Sequence, residues 1–231
     1  FHSCFVWNTF PHFIQIGAIY NKIMNSKGIV FILSAASGTG KTTTCKLLKQ
    51  KLPELKFSVS HTTREARSGE SEGVDYYFIS QKDFEEKIKR NEFLEWANVH
   101  NQCYGTAFET VERHRQNGED LLIELDVQGA HSLRNINYKA VFIFIMPPSL
   151  KELEARLNKR NTEPPEIIND RLEVGKYEIK QFDIYDYILT NDKVEETAEN
   201  LSSIIRAERC RKEMYQPSPD LNALLNSKVN T

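Results

Sequence analysis

The sequence has few cysteines, almost no net charge and no long apolar run, and each absence excludes some classes of protein. None of the four cysteines stands in a C-x-x-C pair, and none of the six histidines has a partner at helical ligand spacing. We therefore expect reduced thiols and no protein-bound transition metal. No run approaches the ~18 apolar residues of a membrane-spanning helix. With a formal net charge of −2, we expect a soluble, cytoplasmic protein without nucleic-acid or membrane partners, and both a monomer and a homodimer stay open.

Residues 1–26 form a segment of their own. The first 23 are rich in aromatic residues, lack a basic start and do not begin with methionine, so they resemble neither a signal peptide nor a domain element. A genuine extension, an expression artefact and a mis-set start codon would each explain them, and Met24 is a candidate natural start.

Apolar runs rich in β-branched residues alternate with helical patterns along most of the chain. The runs lie at 28–33, 121–125, 141–145 and 187–189, and helices are predicted near 41–52, 107–117, 127–135 and 149–159. This alternation predicts an α/β protein with a three-layer core, in which helices wrap a parallel sheet. We assign residues 27–59, 107–150 and 176–215 to the core.

Two segments interrupt this core. A strand at 74–79, a short helix at 83–90 and an extended stretch at 93–99 indicate an inserted, mixed α+β lobe, which we place at 60–106. Further on, Pro164 and Pro165 break one helix and can begin the next, so residues 151–175 are predicted to form a helical lid. Residues 216–231 are polar and are predicted to form a flexible tail.

The ten residues 34–43 look like a phosphate-binding loop between a strand and a helix. The pattern G-x-x-x-x-G-K-[ST] ends correctly at Gly40, Lys41 and Thr42, but Ala35 stands at its first position. Backbone N–H groups and the helix N-terminus would bind the phosphates of ATP, Lys41 would reach the β- and γ-phosphates, and Thr42 would ligate Mg²⁺. Because alanine carries a Cβ, Ala35 is compatible only with a negative φ. The predicted loop residues are Ala35, Ala36, Ser37, Gly38, Thr39, Gly40, Lys41, Thr42 and Thr43.

Arginines suggest two further anion sites. Arg64 and Arg67 lie three apart beside hydroxyl residues, and these two can converge on one phosphate. Arg156 and Arg160 lie four apart on one predicted helix, where like charges repel unless an anion such as an ATP phosphate joins them. The alternative for this pair is surface ion pairing, with Glu152 or Glu163 as partners.

From about residue 27 to 211, the chain resembles a guanylate kinase, a P-loop nucleoside-monophosphate kinase that phosphorylates GMP with ATP. The segments that carry the resemblance are 34–43, 60–70, 73–78, 93–95, 104–106, 124–129, 156–162 and 191–192. The resemblance implies the P-loop kinase fold, with a GMP-binding lobe and a helical lid. It also implies Mg²⁺ entering with ATP, and GMP and ATP as the molecules bound.

The resemblance also assigns roles to individual residues. It implies that Lys41, Arg156, Arg160 and Arg171 stabilise charge on the transferring phosphoryl group, and that Asn191 lies near the adenine. It places four residues at the GMP phosphate: Arg64, Arg67, Tyr76 and Tyr104. It places four others facing the base and the sugar: Ser60, Glu95, Thr106 and Asp126. Thr106 stands where the family commonly has serine and keeps the hydroxyl.

The chemistry of guanine independently supports Glu95 as the residue that recognises the base. Guanine presents its N1–H and its 2-amino group side by side, so one carboxylate can accept both hydrogen bonds. Adenine has an unprotonated N1, which would repel the carboxylate. A site whose polar groups the wrong base leaves unpaired can discriminate by roughly 10⁴-fold.

Three questions stay open at the level of sequence. The family usually has aspartate where this chain has Glu124, so we place Asp126 toward the nucleotide and hold Glu124 as a possible magnesium-linked or structural residue. A scaffold domain that binds peptides through the lobe is one alternative to an enzyme, although Lys41 and the lid arginines are present. A kinase for another nucleoside monophosphate is the second alternative, and Glu95 argues against it.

Overall fold

The computed structural model describes residues 28–99, 101–159 and 165–227, and their contacts divide into two compact units. Unit 1 contains residues 28–32 and Lys56–Ala140, and unit 2 contains Leu33–Leu55 and residues 141–227. The strands are β1 (Val30–Ala35), β2 (Lys56–Phe57), β3 (Ser60–Thr62), β4 (Tyr76–Phe78), β5 (Phe93–Val99), β6 (Gln102–Ala107), β7 (Leu121–Glu124), β8 (Val141–Met146) and β9 (Tyr187–Thr190). The helices are α1 (Lys41–Lys51), α2 (Gln81–Lys89), α3 (Phe108–Gln116), α4 (Val127–Asn135), α5 (Leu150–Lys159), α6 (Pro165–Ile179), α7 (Val194–Arg209) and α8 (Pro219–Asn226).

Unit 1 combines part of a parallel sheet with a mixed sheet. Its parallel strands follow the order β2-β7-β1, and its second sheet follows the order β4-β3-β6-β5. In this second sheet β3 pairs parallel with β4, whereas β6 pairs antiparallel with both β3 and β5. Phe84 of α2 packs on Phe93 and Cys103, which gives this sheet a small apolar core of its own. The mixed sheet predicted for this segment is confirmed.

Unit 2 continues the parallel arrangement in the order β1-β8-β9, so β1 is the strand that belongs to both units. In β8 four consecutive residues, 142–145, are fully buried, as expected for a parallel strand covered on both faces. Its register pairs Ile143 with Tyr187 and Phe144 with Ile188. The predicted α/β fold with a parallel sheet is confirmed.

Most predicted elements lie within two residues of the observed bounds, and Val127–Asn135 matches the prediction for α4. The strands β2, β3 and β6 and the helix α7 have no counterpart among the sequence predictions. In the segment predicted as a flexible tail, Pro219–Asn226 is helical without a buried residue. Along the described ranges, no helix is long and apolar enough to cross a membrane. The division into core, lobe, lid and tail stays a prediction.

Candidate functional site

The predicted phosphate-binding loop lies in unit 2 between β1 and α1. Its two glycines have positive φ angles, 91° at Gly38 and 96° at Gly40, which only glycine adopts without strain. Between them, Thr39 is fully buried, and both its N–H and its hydroxyl donate to the Ala36 carbonyl, at 3.1 and 2.8 Å. Ala35 is the last residue of β1 and has no positive φ. The condition that the sequence placed on Ala35 is therefore met.

Asn191, which follows β9, is hydrogen-bonded to this loop. Its side-chain amide donates to the Thr39 carbonyl at 2.5 Å, and its Oδ1 accepts from the Thr197 hydroxyl at 3.0 Å. A Cβ on Gly40 would lie 2.7 Å from the Asn191 Nδ2 atom, so Gly40 is required by space as well as by its φ. The buried Asn191 amide is therefore engaged with the protein, which the sequence did not indicate.

An open pocket of about 470 Å³ adjoins the loop within unit 2. Its lining consists of Gly40, Thr43, Arg156, Asn191, Asp192, Lys193, Val194 and Glu195. Lys41 opens α1, and Thr42 and Thr43 are exposed in the first turn of that helix. The pocket therefore reaches the end of the loop at Gly40 and the start of α1 at Thr43.

Arg156 on α5 lines this pocket. Its Nε donates to Glu152 at 2.8 Å, so the ion pair considered from the sequence is present. The other guanidinium nitrogens donate to backbone carbonyls, at 2.9 Å to Asn191 and at 3.4 Å to Thr39 and Asp192. Arg156 therefore joins α5 to the loop and to the segment after β9. Arg160 and Glu163 lie outside the described residues.

Helix α6 contacts the loop at Ser37. The Arg171 guanidinium donates to the Ser37 hydroxyl, with distances of 2.9 Å from a terminal nitrogen and 3.3 Å from Nε. The Ser37 backbone N–H donates to the Glu178 carboxylate at 3.0 Å. Arg171 thus lies at the loop, whereas Glu178 was missed because its position in the sequence, 141 residues from Ser37, carries no signal.

In unit 1, Arg64 lies in a cluster of polar and aromatic side chains. Its terminal NH2 group contacts both Glu70 oxygens at 2.9 Å, and the Arg67 backbone N–H donates to the same carboxylate at 2.8 Å. The guanidinium carbon lies 5.3 Å from the centre of the Tyr76 ring, and Tyr76 packs edge-on against Tyr104. The structure therefore brings Arg64, Tyr76 and Tyr104 together.

Glu70 is the second residue that the sequence predictions missed. Partial burial acts to raise the pKa of its carboxyl, but hydrogen bonds from the Arg67 N–H and the Arg64 guanidinium outweigh burial and lower that pKa. The cluster thus holds one anion, the Glu70 carboxylate, by one guanidinium and one backbone N–H. Its position inside the segment 60–70 is the only signal that the sequence offered.

Glu95 lies on β5 directly opposite Thr106 on β6. Both are buried, and the Thr106 hydroxyl donates to Glu95 Oε1 at 2.7 Å. Burial raises the pKa of Glu95 to about 7, the Thr106 hydrogen bond opposes this rise, and the nearby Asp126 charge adds to it. Asp126 caps α4 by accepting from the Gly129 N–H at 2.8 Å. The two carboxylates lie beside Gly129, and the Thr106 hydroxyl binds one of them.

Two predicted residues have less defined surroundings. Ser60 begins β3 and pairs in register with Tyr76. Glu124 ends β7 with its side chain exposed.

The parallel sheet with flanking helices, with its first strand running into this glycine-containing loop and a helix, defines a P-loop kinase. Residues 27–208 match the family model described as guanylate kinase. The chain is 45% identical over 188 residues to the guanylate kinases of Geobacter metallireducens and Geobacter sulfurreducens, covering 81% of this chain and 93% of each relative. The crystal structure of guanylate kinase from Anaplasma phagocytophilum aligns with a TM-score of 0.70 and 34% identity, over 88% of this chain and 96% of that one. The chain belongs to the guanylate kinase family, so the resemblance of its motifs is confirmed.

Proposed function

We propose that this protein is an ATP:GMP phosphotransferase, which moves the γ-phosphoryl group of ATP to a phosphate oxygen of GMP and releases ADP and GDP. We include dGMP as an acceptor. The observation that carries this proposal is the buried Glu95 carboxylate held by Thr106, since it provides adjacent acceptors for the two N–H groups that distinguish guanine. Membership of the guanylate kinase family supports the same activity.

For ATP, the proposed binding residues are those of the loop and the start of α1. Positive φ at Gly38 and Gly40 shapes the loop before α1, whose N-terminus attracts anions, and Lys41 opens that helix. Thr42 is exposed beside them and supplies a hydroxyl oxygen, the ligand type that Mg²⁺ prefers, so it is suited to the Mg²⁺ that enters with ATP. Bound there, Mg²⁺ would neutralise charge on the β- and γ-phosphates. Glu124 as a magnesium-linked residue stays a prediction.

For GMP, the proposed site is the Arg64 cluster together with Glu95. Arg64, Arg67, Tyr76 and Tyr104 would hold the phosphate, in place of or beside the Glu70 carboxylate that Arg64 now binds. Glu95 would accept from the base, with Thr106 fixing one of its oxygens. Ser60 and Asp126 are proposed to complete the surroundings of base and sugar.

The proposed chemistry requires charge stabilisation and no protein base. The GMP phosphate is already a nucleophile, so no covalent intermediate is needed and the protein must align two polyanions. Lys41, Arg156, Arg160 and Arg171 are proposed to stabilise charge on the transferring group. Arginines in this role are worth about 10³–10⁵ in rate.

A coupled assay of ADP release tests this function with GMP, dGMP, AMP, CMP and UMP as separate acceptors, against a sample without acceptor. We expect turnover with GMP and dGMP, and kcat/KM for GMP roughly 10⁴-fold above that for AMP. Equal rates with AMP, CMP or UMP would indicate another monophosphate kinase. Absence of turnover with every acceptor would favour a peptide-binding scaffold.

We expect GMP affinity to depend on pH through Glu95. The carboxyl has a pKa of about 7 in the free protein, and the guanine N–H groups require its ionised form. Binding therefore lowers the Glu95 pKa and releases a proton, so affinity falls by about tenfold per pH unit well below pH 7 and is constant above it. Calorimetric titration of GMP between pH 5.5 and 8.5 measures this. The GMP phosphate also titrates in this range, and it does so equally with the Glu95→Gln variant. The ratio of the Kd values of wild type and variant therefore isolates the effect of Glu95. A ratio independent of pH would contradict the prediction.

We expect Ala35→Gly to leave the ATP KM within about twofold, because the residue ends β1 without a positive φ and glycine relieves no strain there. The same change raises the conformational entropy of the unfolded chain and is expected to lower the free energy of unfolding by about 0.5–1 kcal/mol. Steady-state kinetics and a thermal melt measure the two effects. A large fall in ATP KM would show that the Cβ of Ala35 distorts the loop.

A further inference from the structure

Helix α6 presents three residues to the phosphate loop along one face. Arg171, Gly175 and Glu178 are spaced four and three apart, which places them on the same side of a helix. A Cβ on Gly175 would lie 3.2 Å from the Leu153 side chain of α5, which is closer than an ordinary contact, and 3.9 Å from the Ser37 carbonyl, which is an ordinary contact. At Gly175, α6 therefore packs tightly on α5 and lies beside the loop.

The polar groups at the two ends of this face bind the same loop residue by different atoms. Arg171 donates to the Ser37 hydroxyl at 2.9 Å, and Glu178 accepts from the Ser37 backbone N–H at 3.0 Å. A single hydrogen bond would leave the helix able to slide or turn about its axis. Here two helix residues seven positions apart, Arg171 and Glu178, both bind Ser37. These two bonds fix both the register and the rotation of α6 on the loop.

We propose that Glu178 is a positioning residue for phosphoryl transfer: by binding the Ser37 N–H it fixes the register of α6 and so keeps the Arg171 guanidinium at the loop. This inference rests on the proposed function. Glu178 itself touches no substrate in this role and acts through Arg171. The opposite role, in which the carboxylate competes with an ATP phosphate for the Ser37 N–H, predicts the opposite change in ATP affinity.

Three variants of the full chain test the inference. In Glu178→Ala the acceptor is lost, and we expect kcat to fall by about 10- to 100-fold with ATP and GMP KM values changed less than about threefold, since a misplacement of about 1 Å costs up to 10²-fold. Glu178→Gln keeps an oxygen that can accept from the N–H and is expected to retain kcat within about threefold. Glu173→Ala is the matched control, because Glu173 lies on the same helix, is largely exposed and pairs with Lys176.

A double-mutant cycle shows whether Glu178 acts through Arg171. We expect Glu178→Ala to lower kcat by less than about threefold further in an Arg171→Ala background, because residues that act as one unit are not additive. Thermal melts identify any loss that comes from unfolding. Additive losses, an equally impaired Glu178→Gln, or a lower ATP KM with kcat retained in Glu178→Ala would overturn the inference. Wild-type protein without GMP-dependent ADP release would instead overturn the proposed function.

Discussion

Replacing Arg171 by alanine is expected to lower kcat for GMP-dependent ADP release by about 10³-fold, the lower end of the range for arginines that stabilise a transferring phosphoryl group. The guanidinium already lies at the loop, 2.9 Å from the Ser37 hydroxyl. Its planar group carries charge that is most valuable when negative charge develops on the transferring oxygens. The loss should therefore fall on kcat, with a smaller effect on the GMP KM.

Arg206→Ala is the matched control, since Arg206 is exposed on α7 of the same unit. Arg171→Lys separates charge from geometry, because lysine keeps the charge and loses the planar fork, and we expect it to recover only part of kcat. Single-turnover kinetics distinguish a loss in chemistry from one in product release. Turnover of Arg171→Ala within about threefold of wild type would remove Arg171 from the charge-stabilising role.

Replacing Glu95 by glutamine is expected to lower kcat/KM for GMP by about 10²–10⁴-fold while leaving the low value for AMP nearly unchanged. Glutamine keeps one oxygen acceptor but places an NH₂ donor where the second acceptor stood. That donor would face one of the two guanine N–H groups, and two donors cannot pair. Because the site is buried, water cannot compensate for the unpaired groups.

The ratio of kcat/KM for GMP and AMP is the measurement, and Glu85→Gln is its control. Glu85 is an exposed carboxylate on α2 of the same unit, bonded to Gln81. Because Thr106 binds Glu95 Oε1, Thr106→Val should show part of the same loss. An unaltered preference of Glu95→Gln for GMP would exclude Glu95 as the group that recognises the base.

The fold could be predicted well from the sequence because most of its strands and helices are marked by a pattern in adjacent residues. The fully apolar run of β8 and the strand-loop-helix pattern around Lys41 could each be recognised from a few adjacent residues. The strands β2 and β3 have only two and three residues, so neither carries a periodicity. Their strand conformation depends on partners distant in sequence, such as β7 for β2.

The candidate site divides in the same way. The spacing of Arg64 and Arg67 indicated an anion site, whereas the family resemblance indicated Glu95 and Arg171. The structure places Arg64 beside Glu70, Glu95 beside Thr106 and Arg171 beside Ser37. Glu178, which binds the loop at Ser37, and Glu70, which binds Arg64, were not predictable. In a sequence, an exposed acidic residue and one that accepts a specific N–H look alike. Asn191 shows the converse, since its amide is engaged by Thr39 and Thr197 and not left open.

Ala35 at the end of β1 has a consequence for how such loops are recognised. A search that demands glycine at the first position of G-x-x-x-x-G-K-[ST] would pass over this chain, although the backbone there is extended and admits any side chain. The positions that geometry restricts are 38 and 40, where φ is positive. A search profile weighted by backbone conformation instead of by residue identity would therefore find this loop and reject chains that lack glycine at position 40.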